Sequence, residues 1–283
     1  MTENCQPALI EQAETALAAS TDRVVFVPFE GRRYVAKRFA DHRPRPRLQS
    51  LALRWLVKRI TGQALPMDTL RLADTGFQAG GEARRLRSLA QVGVRVPPLV
   101  HVGTHYLLMP HCGKPLADLL ADWSIDTIRT ELIAQAADLG RFHRDGQWHG
   151  AAQIKNLTWQ DGQTWRIDFE ESFGEQVPLP VAQALDVVLF LDSIALAGPL
   201  DETESRRLLP RLLEAWAAQQ PGDAVIDVLR RGERWLARLA WLSLPFRRRT
   251  RKGRPRKGAL RLAIVSDAMT QFLKASGDGR GHA

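Results

Sequence analysis

The spacing of hydrophobic and polar positions changes period along the chain. Residues 5 to 19 carry apolar positions at helical spacing and predict a short amphipathic helix. The run DRVVFVPFEGRRYVAKRF then forms two β-rich blocks around Glu30-Gly31, the pattern of a hairpin. DHRPRPR reads as a proline and arginine loop, residues 48 to 60 (LQSLALRWLVKRI) as a helix, and residues 61 to 81 as loop-rich. Glu82 is expected to open a helix, EARRLRSLAQVG, that Gly93 stops. Strands are predicted from Val94 to Val102 and from His105 to Met109, the second ending at Pro110.

Beyond Pro110 the pattern is mostly helical. A short helix is predicted over Lys114 to Asp122 and a longer one over Thr127 to Arg144. Two β-like pieces, Asn156 to Trp159 and Thr164 to Phe169, flank a Gln160-Asp161-Gly162 turn. Helices follow at 181–197, 203–218, 222–244 and 259–273. A β-rich first part and a helical second part predict an α+β fold in two lobes with a cleft between them.

The composition agrees with a globular chain. Its 283 residues are 45% hydrophobic and 25% charged, which excludes wholesale disorder, a collagen-like repeat and a small disulfide-stapled scaffold. Cys5 and Cys112, the only cysteines, make neither a disulfide framework nor a zinc pattern and fit a reducing compartment. The net charge is +9, but residues 247–257, RRRTRKGRPRK, hold eight basic residues and no acid. The remainder is close to neutral, so basicity belongs to one segment. The N-terminal residues show no secretory signal pattern, and the longest apolar stretch, Val181 to Leu200, is broken by Asp186 and Asp192. A cytoplasmic location is expected.

Four features occur in an informative order. Lys37 lies in YVAKRF on the second hairpin strand, Glu82 begins a helix, His149 and Asn156 lie in HGAAQIKN, and Asp168 lies in WRIDFEE. A strand lysine can neutralise nucleotide phosphates, and a helix carboxylate can hold that lysine. An amide oxygen and a carboxylate can share magnesium, a hard ion that prefers oxygen. Taken singly the residues have plainer readings. Lys37 would be a solvated surface residue and Glu82 a helix N-terminal acid favoured by the macrodipole. His149 would be a packed loop anchor, His143 helix-end packing, and Asp186 a partner for buried loop amides.

The order Lys37, Glu82, HxxxxxxN and DFE resembles the protein-kinase-like fold, and within it the bacterial lipopolysaccharide-core (Kdo and heptose) kinases, over residues 22 to 240. The resemblance implies a two-lobed protein-kinase-like fold with a β-rich N-lobe and a mostly helical C-lobe. A helical extension (1–21) would precede an N-lobe (22–110, with a helical insertion at 47–62), followed by a C-lobe (111–245) and a basic extension (246–283). It implies ATP and magnesium as cofactors, with Lys37 on the phosphates, Glu82 orienting it, and Asn156 and Asp168 on the metal. His149 would belong to the catalytic loop and Asp186 would brace that loop from behind. The acceptor would be a hydroxyl, such as a lipopolysaccharide-core sugar.

Two departures stand at the expected chemistry. The family carries a proton-accepting Asp two residues after the catalytic-loop histidine, and here that residue is Ala151. The HRD at 143–145 is out of register, which leaves Glu170, Glu171 and Asp145 as the nearest acids in sequence. The first hairpin contains one glycine, whereas a loop that covers phosphates needs several. A catalytically inactive pseudokinase serving as scaffold or regulator is therefore the alternative to a phosphotransferase. The basic run adds two partner readings. One is an anionic membrane surface at the inner face of the cell membrane, helped by Trp235, Leu239, Leu242 and Phe246 at helical spacing. The other is nucleic acid, because a small kinase of a tRNA-modification complex belongs to the same superfamily, although no aromatic residue interrupts the run.

Overall fold

A computed structural model describes residues 6–39, 58, 75–169, 177–244 and 257–278. The predicted loop DHRPRPR, the helix at 48–60 apart from Lys58, Glu170, Glu171, Phe246 and the basic run up to residue 256 lie outside the described residues. The fold is α+β, with two antiparallel sheets and seven helices of 12 or more residues among the described residues. The chain divides into two compact units.

The first unit draws on residues 6–39, 75–115 and 156–169. Strand β1 (Val24–Phe29) pairs with β2 (Arg32–Arg38) from Val24↔Lys37 to Phe29↔Arg32, leaving a two-residue turn. Glu30 (φ 47°) and Gly31 (φ 73°) are both left-handed there, as a tight hairpin of matching twist requires. β2 pairs on its other side with β4 (Tyr106–Pro110), and β3 (His101–Val102) closes the sheet in the order β1-β2-β4-β3.

Side chains alternate across a strand, so this sheet has two characters. Val27, Tyr34, Ala36, Tyr106 and Leu108 meet Leu9, Ala13 and Leu17 of helix α1 (Pro7–Ala18) in one buried cluster. The Arg38 guanidinium ties α1 to the sheet by donating to the carbonyls of Leu17 and Ser20. Val24, Phe26, Val35, Lys37 and Met109, in the opposite register, line a cavity instead. A second sheet, β5-β6-β7 (Lys114–Pro115, Leu157–Gln160, Gln163–Arg166), turns at Asp161-Gly162, where both φ are again positive.

Three expectations need correction in this unit. Helix α2 spans Thr75–Gln91, so Glu82 lies inside it and is not its opening acid. Ala79, Ala83, Leu86 and Leu89 make a buried stripe at helical spacing that continues the helix through Gly80 and Gly81. Val94 to Val102 is mostly irregular, because Pro97 and Pro98 have no N–H for a ladder, and only His101–Val102 pairs. The short helix expected over Lys114 to Asp122 begins instead as strand β5, and only Leu116–Leu119 (α3) is helical.

The second unit draws on residues 116–155, 177–244 and 257–278. Helix α4 (Ile125–Arg144), capped by Ser124, packs against α6 (Glu202–Ala217), capped by Asp201. Helix α8 (Lys257–Asp278) packs on α6 and on α7 (Asp223–Leu242), and α7 also packs on α5 (Leu179–Ile194). Helix α5 buries nine of its side chains, among them Asp186. No helix among the described residues is long and apolar enough to cross a membrane.

Candidate functional site

Lys37, next to last in β2, is 7% exposed, which overturns its reading as a solvated surface residue. Its ammonium donates to both carboxylate oxygens of Glu82 at 2.9 Å and to Asp168 Oδ1 at 2.7 Å. Glu82, 2% exposed, also accepts the Phe169 N–H through Oε1 at 3.2 Å. One carboxylate on α2 therefore fixes both the strand lysine and the segment that follows β7. The Lys37 ammonium stands 5.6 Å from the Phe39 ring, a further favourable contact for a cation.

The backbone around Asp168 is set by a short chain of contacts. Asn156 ends the 3₁₀ turn Ile154–Asn156, and its carbonyl accepts the Ile167 N–H at 3.0 Å. The two candidate oxygen donors thus flank one hydrogen bond at the open end of the β6-β7 hairpin. Asp168 then adopts φ 69°, a conformation that costs a non-glycine residue about 1–2 kcal/mol.

Lys37, Glu82, Asn156 and Asp168 all line one cavity of about 310 Å³. Its remaining wall is largely apolar, including Val24, Val35, Leu86, Met109 and Ile167, with Arg23, His111 and Thr158 as further polar members. Two carboxylates against one ammonium leave the cluster with one net negative charge. Such a cluster favours a cation, or a phosphate that arrives with one. The Asp168 side chain is 34% exposed, so it retains an open side. Two groups in the wall have shifted protonation. Burial, and secondly the Arg33 charge, hold His111 below the ordinary imidazole pKa. Burial pushes the Cys112 thiol up to about 11, which keeps it protonated and unreactive at neutral pH.

His149 is not among the residues of this cavity. It lies in the second unit, 1% exposed, where its backbone N–H donates to Asp186 Oδ2 at 2.5 Å. The Gly150 N–H donates to Asp186 Oδ1 at 2.8 Å, and the Ala151 N–H to His149 Nδ1 at 3.3 Å. Asp186, completely buried, thus serves as the partner of loop amides. His143 Nε2 lies 3.5 Å from Asp186 Oδ2, while its Nδ1 accepts the Trp216 indole N–H at 3.0 Å. Trp216 therefore sets the tautomer and the ring is packed as helix-end structure. Asp145, at the C-terminus of α4, is exposed and pairs with Arg144 at 3.1 Å.

Sequence reasoning missed Phe26, His111 and Thr158 as members of the cavity wall. Thr158 carried a signal, because it stands two residues after Asn156 on a predicted strand and shares its face. His111 and Phe26 gave none, since their pairing at 5.6 Å between ring centroids joins β1 to the segment after β4.

Compared with known proteins, the chain matches no family model and no curated sequence. The residues around the cavity fit the cofactors that the resemblance implies. Mainly apolar walls suit a flat base, and a volume of about 310 Å³ lies at the lower end of the range of small-molecule sites. Among the described residues no three His, Cys, Asp or Glu side chains cluster as a metal cage. One carboxylate and one amide oxygen are a donor set that magnesium accepts when phosphates and waters supply the rest. The hairpin does not fit a phosphate-covering role, because its turn is only Glu30-Gly31.

Proposed function

We propose that the chain is a two-lobed, protein-kinase-like phosphotransferase that binds ATP with magnesium at the Lys37 cavity and transfers phosphate to a hydroxyl. One observation carries this reading: the Lys37 ammonium is held jointly by buried Glu82 and by Asp168, with Asn156 in the same wall. When bound, magnesium supplies charge neutralisation for the phosphates. Asp168 and Asn156 would hold it through oxygen. Lys37 exchanges part of its contact with Asp168 for the phosphates, and Glu82 keeps the ammonium in place during that exchange. Val24, Val35, Met109 and Ile167 exclude water from the base. The acceptor we favour is a sugar of the lipopolysaccharide core, presented at an anionic membrane surface.

Ala151 supports a second reading, a pseudokinase that binds nucleotide and acts as scaffold or regulator. A methyl group cannot take the proton of an attacking hydroxyl, and absence of a general base lowers turnover by about 10²–10⁴-fold. Thermal unfolding with Mg-ATP tests the part common to both readings. At a ligand concentration 100 times Kd, binding adds about 2.7 kcal/mol to stability, a shift of several degrees in Tm. Wild type should show that shift and Asp168→Ala should not. No shift in folded wild type removes both readings. Transfer of γ-phosphate to a glycan, lipid or protein, lost in Lys37→Ala and in Asp168→Ala, separates the enzyme from the scaffold.

A further inference from the structure

Thr158 is the second residue of β6 and only 5% exposed. Its Oγ1 is buried and has no hydrogen-bond partner among the described residues. Buried hydroxyls are almost always partnered, because leaving one unpaired costs its full desolvation. Valine has the same shape and would fill this place without that cost. The residue is also part of the cavity wall, so the unpaired group belongs to a side chain that a bound ligand would meet.

Its position along the cavity is defined by register. Thr158 stands two residues after Asn156, which ends the 3₁₀ turn that leads into β6, and both line the cavity. Its cross-strand neighbour is Pro115, two residues after Gly113, and both of these also line the cavity. Thr158 is therefore on the side of Asn156 that leads toward Gly113. Rotation about χ1 between staggered positions exchanges its hydroxyl with its methyl group, so a ligand that offers a partner can draw the hydroxyl toward the cavity.

We propose that the Thr158 hydroxyl makes a hydrogen bond to the nucleoside part of the bound nucleotide and so determines specificity for it. This rests on the nucleotide reading above. The chemistry sought is a polar atom of the base edge or a ribose hydroxyl, and not a phosphate. The hydroxyl's missing partner is supplied by the ligand.

The experiment compares wild type, Thr158→Val and Thr158→Ser by titration calorimetry with Mg-ATP, Mg-2′-deoxy-ATP and magnesium pyrophosphate. Thr158→Val should bind Mg-ATP about tenfold more weakly, a lost hydrogen bond expressed in Kd. It should bind pyrophosphate as wild type does, and its Tm without nucleotide should be equal or higher. Thr158→Ser should recover most of the affinity. If the deficit disappears with 2′-deoxy-ATP, the partner is the ribose hydroxyl; if it persists, the partner is elsewhere on the nucleoside. Equal Mg-ATP affinity in wild type and Thr158→Val overturns the proposal. Failure of wild type to bind Mg-ATP at all would instead be a failure of the nucleotide reading.

Discussion

Lys37 directs its ammonium at two carboxylates of different character, one 1% and one 34% exposed in the side chain. The buried one is the structural anchor and the accessible one is the exchangeable partner. Asp168→Asn keeps the shape of the site and removes one of the two carboxylates that face Lys37. We expect it to unfold within about 1 kcal/mol of wild type, since Glu82 still pairs Lys37, yet to lose the Mg-ATP shift in Tm. Ala151 stands at the end of a loop whose amides Asp186 and His149 already hold. Ala151→Asp should therefore raise phosphate transfer by about 10²-fold without a change in Mg-ATP affinity, because it adds a proton acceptor and no binding contact. A fall or no change in rate would mean that another group already takes the proton. His111 gives a pH dependence with a definite sign. Its folded pKa lies below the unfolded value of about 6.5, so the unfolded chain binds the proton more readily. Stability is unaffected above that pH and falls as pH drops below it. Urea midpoints at pH 7.5 and 5.5 should differ less in His111→Gln than in wild type.

Elements differ in how much of their origin can be read without coordinates. Both hairpins follow from local chemistry, since Glu30-Gly31 and Asp161-Gly162 supply the two left-handed residues that a tight turn needs. The capped helices α4 and α6 start within two residues of their predicted places for the same reason. Helix α2 was misread because Gly80-Gly81 looks like a break, and only burial of the Ala79-to-Leu89 stripe outweighs it. The proximity of Lys37, Glu82 and Asp168 has no local signal at all. It joins residues 45 and 131 positions apart, and order along the chain pointed to it only through the resemblance. Glycines show the same contrast. Gly31 (φ +73°) has open space around its missing Cβ, whereas a Cβ on Gly113 (φ +90°) would meet the Trp159 carbonyl oxygen at 2.0 Å. Gly31→Ala should cost about 1–2 kcal/mol by the left-handed penalty alone. Gly113→Ala should cost more than that, because backbone of β6 must also move, and chemical denaturation of the two variants measures the difference.

At the scale of the whole molecule, the charge and the apolar exposure come together in sequence. Helix α7 exposes Leu239 (40%), Trp241 (67%) and Leu242 (59%) near its C-terminus, while Trp235 is half-buried with the Arg238 guanidinium 4.7 Å from its ring centroid. Leu239 and Leu242 of the expected apolar face are thus exposed, while Trp235 is half-buried and Trp241 is the outermost tryptophan of the helix end. The run RRRTRKGRPRK begins five residues after Leu242. Exposed aromatic and leucine side chains next to cations worth about 1 kcal/mol each near anionic lipid would together supply the two signals that stable membrane anchoring takes. On the proposed reading this would bring the chain to a membrane-borne acceptor. Sedimentation with phosphatidylglycerol vesicles should carry the protein down at low salt and progressively less as salt rises, with no binding to neutral phosphatidylcholine. Trp241→Glu with Leu242→Glu should weaken binding at least tenfold while leaving the salt slope in place, since the slope belongs to the basic run. Sedimentation unaffected by that double variant would reduce the membrane contact to charge alone. Binding to tRNA with a steep salt slope, and none to anionic vesicles, would assign the basic run to nucleic acid.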